Sequence, residues 1–138
     1  MLKKIFSSKS GETYLEVAIG VLCVVMFLVI ALNIFSAVTM YIHMDRIAND
    51  LLDVATYTGE FGDAFDAKIA ELEERYFDFE VSIYSDKYYN TALKRVQLGD
   101  LMVVTVKANL VINGFGEGIE IPIEPKVQRS GKSENYWK

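Results

Sequence analysis

An α+β fold is predicted by three features of the sequence: an apolar run that no charged residue interrupts, two stretches of helical periodicity after it, and three stretches of strict alternation near the C-terminus. The elements expected are a long N-terminal helix, transmembrane in its first half and amphipathic in its second, a second short helix, and a small three-stranded antiparallel sheet packed on the long helix. A chain of 138 residues suffices for one such domain and is short for two.

The long helix comes first. From Val17 to Met44 there is no Asp, Glu, Lys or Arg, which exceeds the roughly 20 apolar residues needed to cross about 30 Å of hydrocarbon. A secretory signal is a poor fit, because its apolar core is about 7 to 15 residues long and ends at small residues. Phe35 stands where a small residue would be wanted. Beyond Met44, "DRIANDLLDVATYTG" sets Ile47, Leu51, Val54 and Thr58 at spacings of four, three and four, with Asp50 and Asp53 on other faces. The helix therefore continues as an amphipathic one with a stripe that must pack on something, until Gly59 and Gly62 end it.

A second helix is expected from Asp63, a suitable N-cap, to about Tyr76, with Phe65, Ile69, Leu72 and Tyr76 on one side. The period then changes to two. In "FDFEVSIY", Phe77, Phe79, Val81 and Ile83 alternate with polar residues, as in a half-buried strand. "SDKYYNTALKRVQLGD" is expected to be a loop with a short turn of helix around Ala92 to Val96. "LMVVTVKANLVI" places Met102, Val104, Val106, Ala108, Leu110 and Ile112 on one face. In "IEIPIEPKV", Ile119, Ile121, Ile123 and Val127 alternate as inward positions, and Pro122 and Pro125, which donate no ladder hydrogen bond, put this strand at a sheet edge. From about residue 128 a flexible polar tail is expected, ending in Tyr136 and Trp137. The domain boundaries are thus 1–11 for a basic leader segment, 12–44 for the membrane helix and 45–138 for an outer α+β domain.

Charge sets the expected orientation. Lys3, Lys4 and Lys9 precede the helix without an acid beside them, whereas residues 45–138 carry 11 Lys and Arg against 17 Asp and Glu. The positive-inside rule puts Met1 in the cytoplasm and the C-terminal domain outside. An acidic exterior argues against nucleic acid as a partner, since phosphate contacts need a basic surface.

Signals for chemistry are weak. Gly114, Gly116 and Gly118 form a glycine-rich stretch, but a phosphate loop needs a helix after its glycines; here an alternating strand follows, and Asn113-Gly114 is a hairpin signal. His43 is the sole histidine and Cys23 the sole cysteine, so neither completes a metal site or a disulfide. Glu71, Glu73 and Glu74 read as a solvated helix face. No nucleophile, base and oxyanion donor assemble, and no enzyme or cofactor is implied. Asn33, Ser36, Thr39 and His43, at spacings of three, three and four, share one side of the long helix. Polar groups there either face a neighbouring helix or bond back to the preceding turn.

The leader gives the sharpest signal. A short basic segment, Gly11, then Glu12-Thr13-Tyr14-Leu15-Glu16 and the apolar helix resemble the start of type IV pilin-like proteins. In that family a membrane peptidase cuts after the glycine on the cytoplasmic side, and a carboxylate stands at the fifth mature position, here Glu16. The resemblance implies cleavage between Gly11 and Glu12, assembly through the N-terminal helix with Glu16 pairing to a neighbour's terminus, and a prepilin peptidase and other pilin subunits as partners. The layout of long helix and small antiparallel sheet is also similar to pilins. Glu12 stands where type IV pilins usually carry Phe, and Val17 where flp-type major pilins carry Tyr. These departures bring the chain nearest to the TadE-like pseudopilins of tight-adherence, secretion or conjugation systems. The expected location is then the bacterial cytoplasmic membrane, single-pass, with a surface pilus after assembly. The competing expectation is an unprocessed single-pass protein whose outer domain binds a partner in a secretion, sporulation or conjugation complex.

Overall fold

The computed structural model describes residues 9–113 and 120–138, and has the α+β architecture that the sequence predicts: a long N-terminal helix, a short second helix and a small antiparallel sheet. The chain divides into two compact units, Met1–Ser36 and Ala37–Lys138.

In the first unit the described residues belong to helix α1 (Lys9–Thr58). Their side chains are exposed almost throughout; Phe27, for example, keeps 71% of its surface. A helix apolar on every side belongs in a dry environment. α1 is long and apolar enough to cross a membrane.

In the second unit α1 turns amphipathic. Met44, Ile47, Ala48, Leu51, Leu52 and Ala55 are buried at alternating spacings of three, one, three, one and three, a single stripe two residues wide. Ile47 and Leu51 lie on it as the sequence indicates, while Val54 and Thr58 flank it, only half-buried. Helix α2 (Asp63–Arg75) adds Phe65 and Leu72, with Ile69 and Tyr76 packed beside them. Gly62, not Asp63, is its N-cap. Asp63 and Asp66 stand in the first turn and Arg75 in the last, where each complements the helix dipole.

The sheet is a three-stranded meander in the order β1 (Glu80–Ser85), β4 (Leu101–Lys107), β7 (Lys126–Lys132), all antiparallel. Each reversal carries a small hairpin, β2 (Tyr88–Asn90) with β3 (Arg95–Val96) in the first and β5 (Leu110–Asn113) with β6 (Glu120–Ile123) in the second. Met102, Val104 and Val106 of the central strand meet the α1 stripe. On its other face Val103 and Thr105 are buried too, between their register partners Tyr84 and Ser130, and Ser82 and Gln128. Strand β7 passes close to α1 because residue 131 is glycine: a Cβ there would lie 3.1 Å from Thr56 Cγ2 and 3.4 Å from Leu52 Cδ2. Arg129 of β7 pairs with Asp45 of α1.

Several expectations are corrected. The segment 85–100 holds a hairpin rather than a helical turn at 92–96, because Asn90 Oδ1 accepts from the amides of Ala92 (3.0 Å) and Leu93 (3.1 Å) and closes a tight reversal. The strand expected from Phe77 begins at Glu80. The strand expected over 101–112 is interrupted at Ala108-Asn109, opposite Glu124-Pro125. Pro125 has no N–H, and the contact at the break is Ala108 N donating to Pro125 O at 3.2 Å. Register survives the break: Lys107 stands opposite Lys126 and Leu110 opposite Ile123, so β5–β6 extends the β4–β7 hairpin in phase. Val127 is buried, but Ile121 and Ile123 are exposed rather than inward, since the core packed on this face ends at Ala108. Ile119 and the turn at Gly114, Gly116 and Gly118 lie outside the described residues.

A further correction concerns the tail. Residues 128–132 complete β7, and those beyond cap the end of α1. Gly59, in the left-handed conformation at φ +71°, terminates the helix. Carbonyls at the end of α1 then receive donors from the tail, Glu134 N to Thr56 O at 2.9 Å and Asn135 Nδ2 to Thr58 O at 2.8 Å, and just beyond the helix Trp137 Nε1 donates to Gly59 O at 3.2 Å. Gln97 holds Trp137 from the other side, its Oε1 accepting from Trp137 N and its Nε2 donating to Trp137 O. The Arg95 guanidinium lies 4.2 Å above the indole and also pairs with Glu60 at 2.9 Å.

Two substitutions test this packing. Leu51→Ala, which empties a fully buried site, is expected to cost about 2–5 kcal/mol in chemical denaturation of the full chain in detergent. Gly59→Ala adds about 1–2 kcal/mol of left-handed strain and puts a Cβ 2.5 Å from that of Asn135. It should displace the tail, read as a red shift in the emission of Trp137, the only tryptophan.

Candidate functional site

Gly11, Glu12 and Glu16 all lie within α1 and are exposed. The Gly11–Glu12 bond is therefore helical; residues 1–8 lie outside the described ones. Glu12 occupies the first turn, where the dipole favours an acid. Glu16 is one turn further along, on the same face as Glu12 by the four-residue spacing.

The four polar positions lie along one continuous helix, Asn33 and Ser36 in the first unit and Thr39 and His43 in the second. Asn33 Nδ2 donates to Val29 O at 3.0 Å, which satisfies the amide within its own helix. Ser36 is exposed and Thr39 half-buried. His43 packs against Tyr76 with ring centroids 5.1 Å apart and planes tilted by 44°. It thus ties α1 to the end of α2, a contact between elements 33 residues apart that helical spacing alone does not reveal. Its Nδ1 is buried without a hydrogen-bond partner.

The acidic face of α2 is an ion-pair ladder. Glu71 accepts from Lys68 at 3.0 Å and from Arg75 at 2.8 Å, and the Lys68 hydrogen bond holds its carboxyl below the usual carboxylate range. Among the described residues no group of three or more His, Cys, Asp or Glu is placed to hold a metal ion. Among the described residues, one open hollow of about 310 Å³ lies where the extension leaves the sheet, between Asp78, Phe79, Glu80, Lys107, Ala108, Asn109 and Glu124. Another, of about 560 Å³, lies beside the docked tail at Tyr57, Thr58, Glu60, Glu134, Asn135 and Trp137. Carboxylates and one ammonium rim the first, and in the second the Thr58 hydroxyl donates to backbone carbonyls of Val54 and Glu60.

Sequence reasoning missed two features that have the character of contact surfaces. One is the tail clamp, whose only sequence signals are Gly59 and a tryptophan in a polar tail. The other is the aliphatic extension β5–β6, which alternation made look like core. Uncovered apolar surface distinguishes the described residues, above all along the first half of α1.

No curated protein and no solved structure matches the chain. Residues 21–138 match the profile of a family described as a domain of unknown function, DUF4320. The matched stretch takes in most of α1 and the whole sheet domain while leaving Gly11 and Glu16 before it, and the chain accordingly belongs to the DUF4320 family.

Proposed function

We propose that this chain is a pilin-like structural subunit, nearest to the TadE-like pseudopilins, of a type IV pilus-related, secretion or conjugation apparatus. In this reading it is inserted with Met1 in the cytoplasm, trimmed after Gly11 by a prepilin peptidase, and assembled through α1 with other pilin subunits. The observation that carries the reading is the double character of α1. One helix is apolar and uncovered over its first half, with Glu16 at the start of that half, and is the core helix of a small antiparallel sheet domain over its second.

The carboxylate supplies the physical argument. A charge at the centre of a bilayer helix costs roughly 3 kcal/mol on insertion scales, and a plain anchor gains nothing from one at its edge. Cleavage after Gly11 would leave an ammonium on Glu12. Within one subunit that ammonium lies a single turn from Glu16; between stacked subunits it can reach a neighbour's Glu16 and set the axial register. Removing one partner of a buried pair leaves an uncompensated charge, which is why pairing would favour ordered assembly.

A specific observation favours the second reading, an unprocessed single-pass subunit with a partner-binding outer domain: the Gly11–Glu12 bond is part of α1, so cutting it requires the first turn to open. Mass spectrometry of the protein made beside its native peptidase separates the two. The pilin reading expects a chain beginning at Glu12, and one beginning at Met1 overturns it. Gly11→Leu is expected to retain the leader and abolish assembly. Glu16→Val is expected to insert and be cleaved normally while polymerising poorly; losing about 1.4 kcal/mol per contact already weakens association tenfold. Normal filaments from this variant would remove the pairing argument.

A further inference from the structure

The three-stranded sheet ends on two edges of opposite charge. β1 and β7 flank β4, and among the described residues no strand lies beside either on its outer side. Nor does any backbone hydrogen bond outside the ladders, among the described residues, reach 80–85 or 126–132. Residues 78–86 carry Asp78, Glu80 and Asp86 and no base, whereas β7 carries Lys126, Arg129 and Lys132 and no acid. Arg129 is taken by Asp45 of α1. Asp86 bonds the neutral hydroxyl of Tyr84, and no ion pair among the described residues engages Glu80, Asp86, Lys126 or Lys132.

Charge on an edge strand, lysine above all, ordinarily guards it against pairing. A single sign on each edge does more. It opposes β1 against β1 and β7 against β7, and leaves β1 against β7 as the combination that attracts. The register aligns these charges. Lys107 stands opposite both Glu80 and Lys126, so these two lie on one rung at opposite edges, and Thr105 joins Ser82 to Gln128 in the same way. Asp86 follows Ser85, the partner of Met102, at the end where Leu101 stands opposite Lys132. Both outer strands are antiparallel to β4 and hence parallel to each other. A second copy moved sideways in the plane of the sheet therefore lays its β7 along β1 without stagger, Lys126 beside Glu80 and Lys132 beside Asp86. On the rung Glu80–Lys107–Lys126 two ammoniums are neighbours, and a second copy's Glu80 gives Lys126 an acid on its open side.

We infer that the partner of each sheet edge is a second copy of this chain: β1 of one copy pairs in parallel with β7 of the next, Glu80 with Lys126 and Asp86 with Lys132. The inference rests on the reading of the chain as an assembling subunit. The contact joins unlike surfaces, so it repeats from copy to copy into a ring or an open array instead of closing as a two-fold dimer. Main-chain hydrogen bonds between the edges supply the attachment, and the end charges fix its direction and register.

The test uses the full chain with Cys23→Ala, made beside its native peptidase and oxidised in its own membranes. Ser82 and Gln128 are exposed and lie two strand spacings apart, about 9–10 Å, so cysteines there cannot link within one chain. Ser82→Cys with Gln128→Cys is expected to give a ladder of dimers, trimers and larger multimers on a non-reducing gel. Ser82→Cys with Lys132→Cys, out of register by roughly 13 Å, is expected to link several-fold less. Asp86→Lys or Lys132→Glu, added to the matched pair, should each cut its yield several-fold, and the two together should restore it, with Trp137 emission confirming the fold. No ladder from the matched pair, equal yield from the mismatched one, or dimers from Ser82→Cys alone at the matched yield each overturn the edge contact. A ladder from chains that mass spectrometry finds beginning at Met1 upholds the contact and overturns processing. Chains beginning at Glu12 that give no ladder overturn the edge contact alone.

Discussion

The domain depends on one burial. α1 offers Met44, Ile47, Ala48, Leu51, Leu52 and Ala55, and the sheet offers Met102, Val104, Val106 and Val127. Three short strands are marginal alone, and each fully buried aliphatic side chain contributes about 1.5–3 kcal/mol. The Arg129–Asp45 pair across the same interface is partly solvated and contributes about 0–1 kcal/mol. Apolar burial therefore holds helix and sheet together, and the ion pair fixes where along the helix β7 lies. With β4 held against α1, the meander positions β1 and β7 by hydrogen bonding, and α2 closes the side where Phe65 and Leu72 enter the core.

The same helix creates a second requirement at its end. Its last carbonyls need donors: Gly59 N serves Ala55, and a segment about 80 residues away in sequence serves Thr56 through the amide of Glu134 and Thr58 through the side chain of Asn135, with the indole of Trp137 on Gly59 O just beyond. Gly59 makes this approach possible, because a side chain there would occupy the space of Asn135, Ser133 and Trp137. The polar C-terminus is thus a structural part of the domain. Its closing contacts are hydrogen bonds and a cation over a ring, individually about 0.5–1.5 kcal/mol, so it is the most easily released part of an otherwise apolar core.

What was legible in the sequence follows from which forces act locally. Helical period gave α1 and the inner face of α2, and alternation gave Val81, Ile83, Met102, Val104 and Val106 as well as the common face of the two long strands, because backbone geometry alone decides which side chains share a side. Alternation does not report where the covering layer stops. Leu110, Ile121 and Ile123 obey the same period as Val104 and yet lie beyond the last core residue, Ala108. The β2–β3 hairpin rests on one side-chain acceptor, Asn90, and the docked tail on contacts distant in sequence. Neither leaves a periodic trace. For the candidate site, Gly11, Glu12 and Glu16 stand out by their order beside the apolar run, whereas the packing of His43 on Tyr76 joins residues distant in sequence and leaves no local trace.

The distribution of apolar surface bears on function more than any single residue does. A water-soluble domain of this size exposes scattered aliphatics, as Leu93, Leu98, Val111, Ile121 and Ile123 are here, but along the first half of α1 they are continuous. Aliphatic side chains left uncovered on every side of a helix cost solvation in water and none in hydrocarbon, so the first half of α1 is the surface whose exposure a bilayer or a neighbouring helix would relieve.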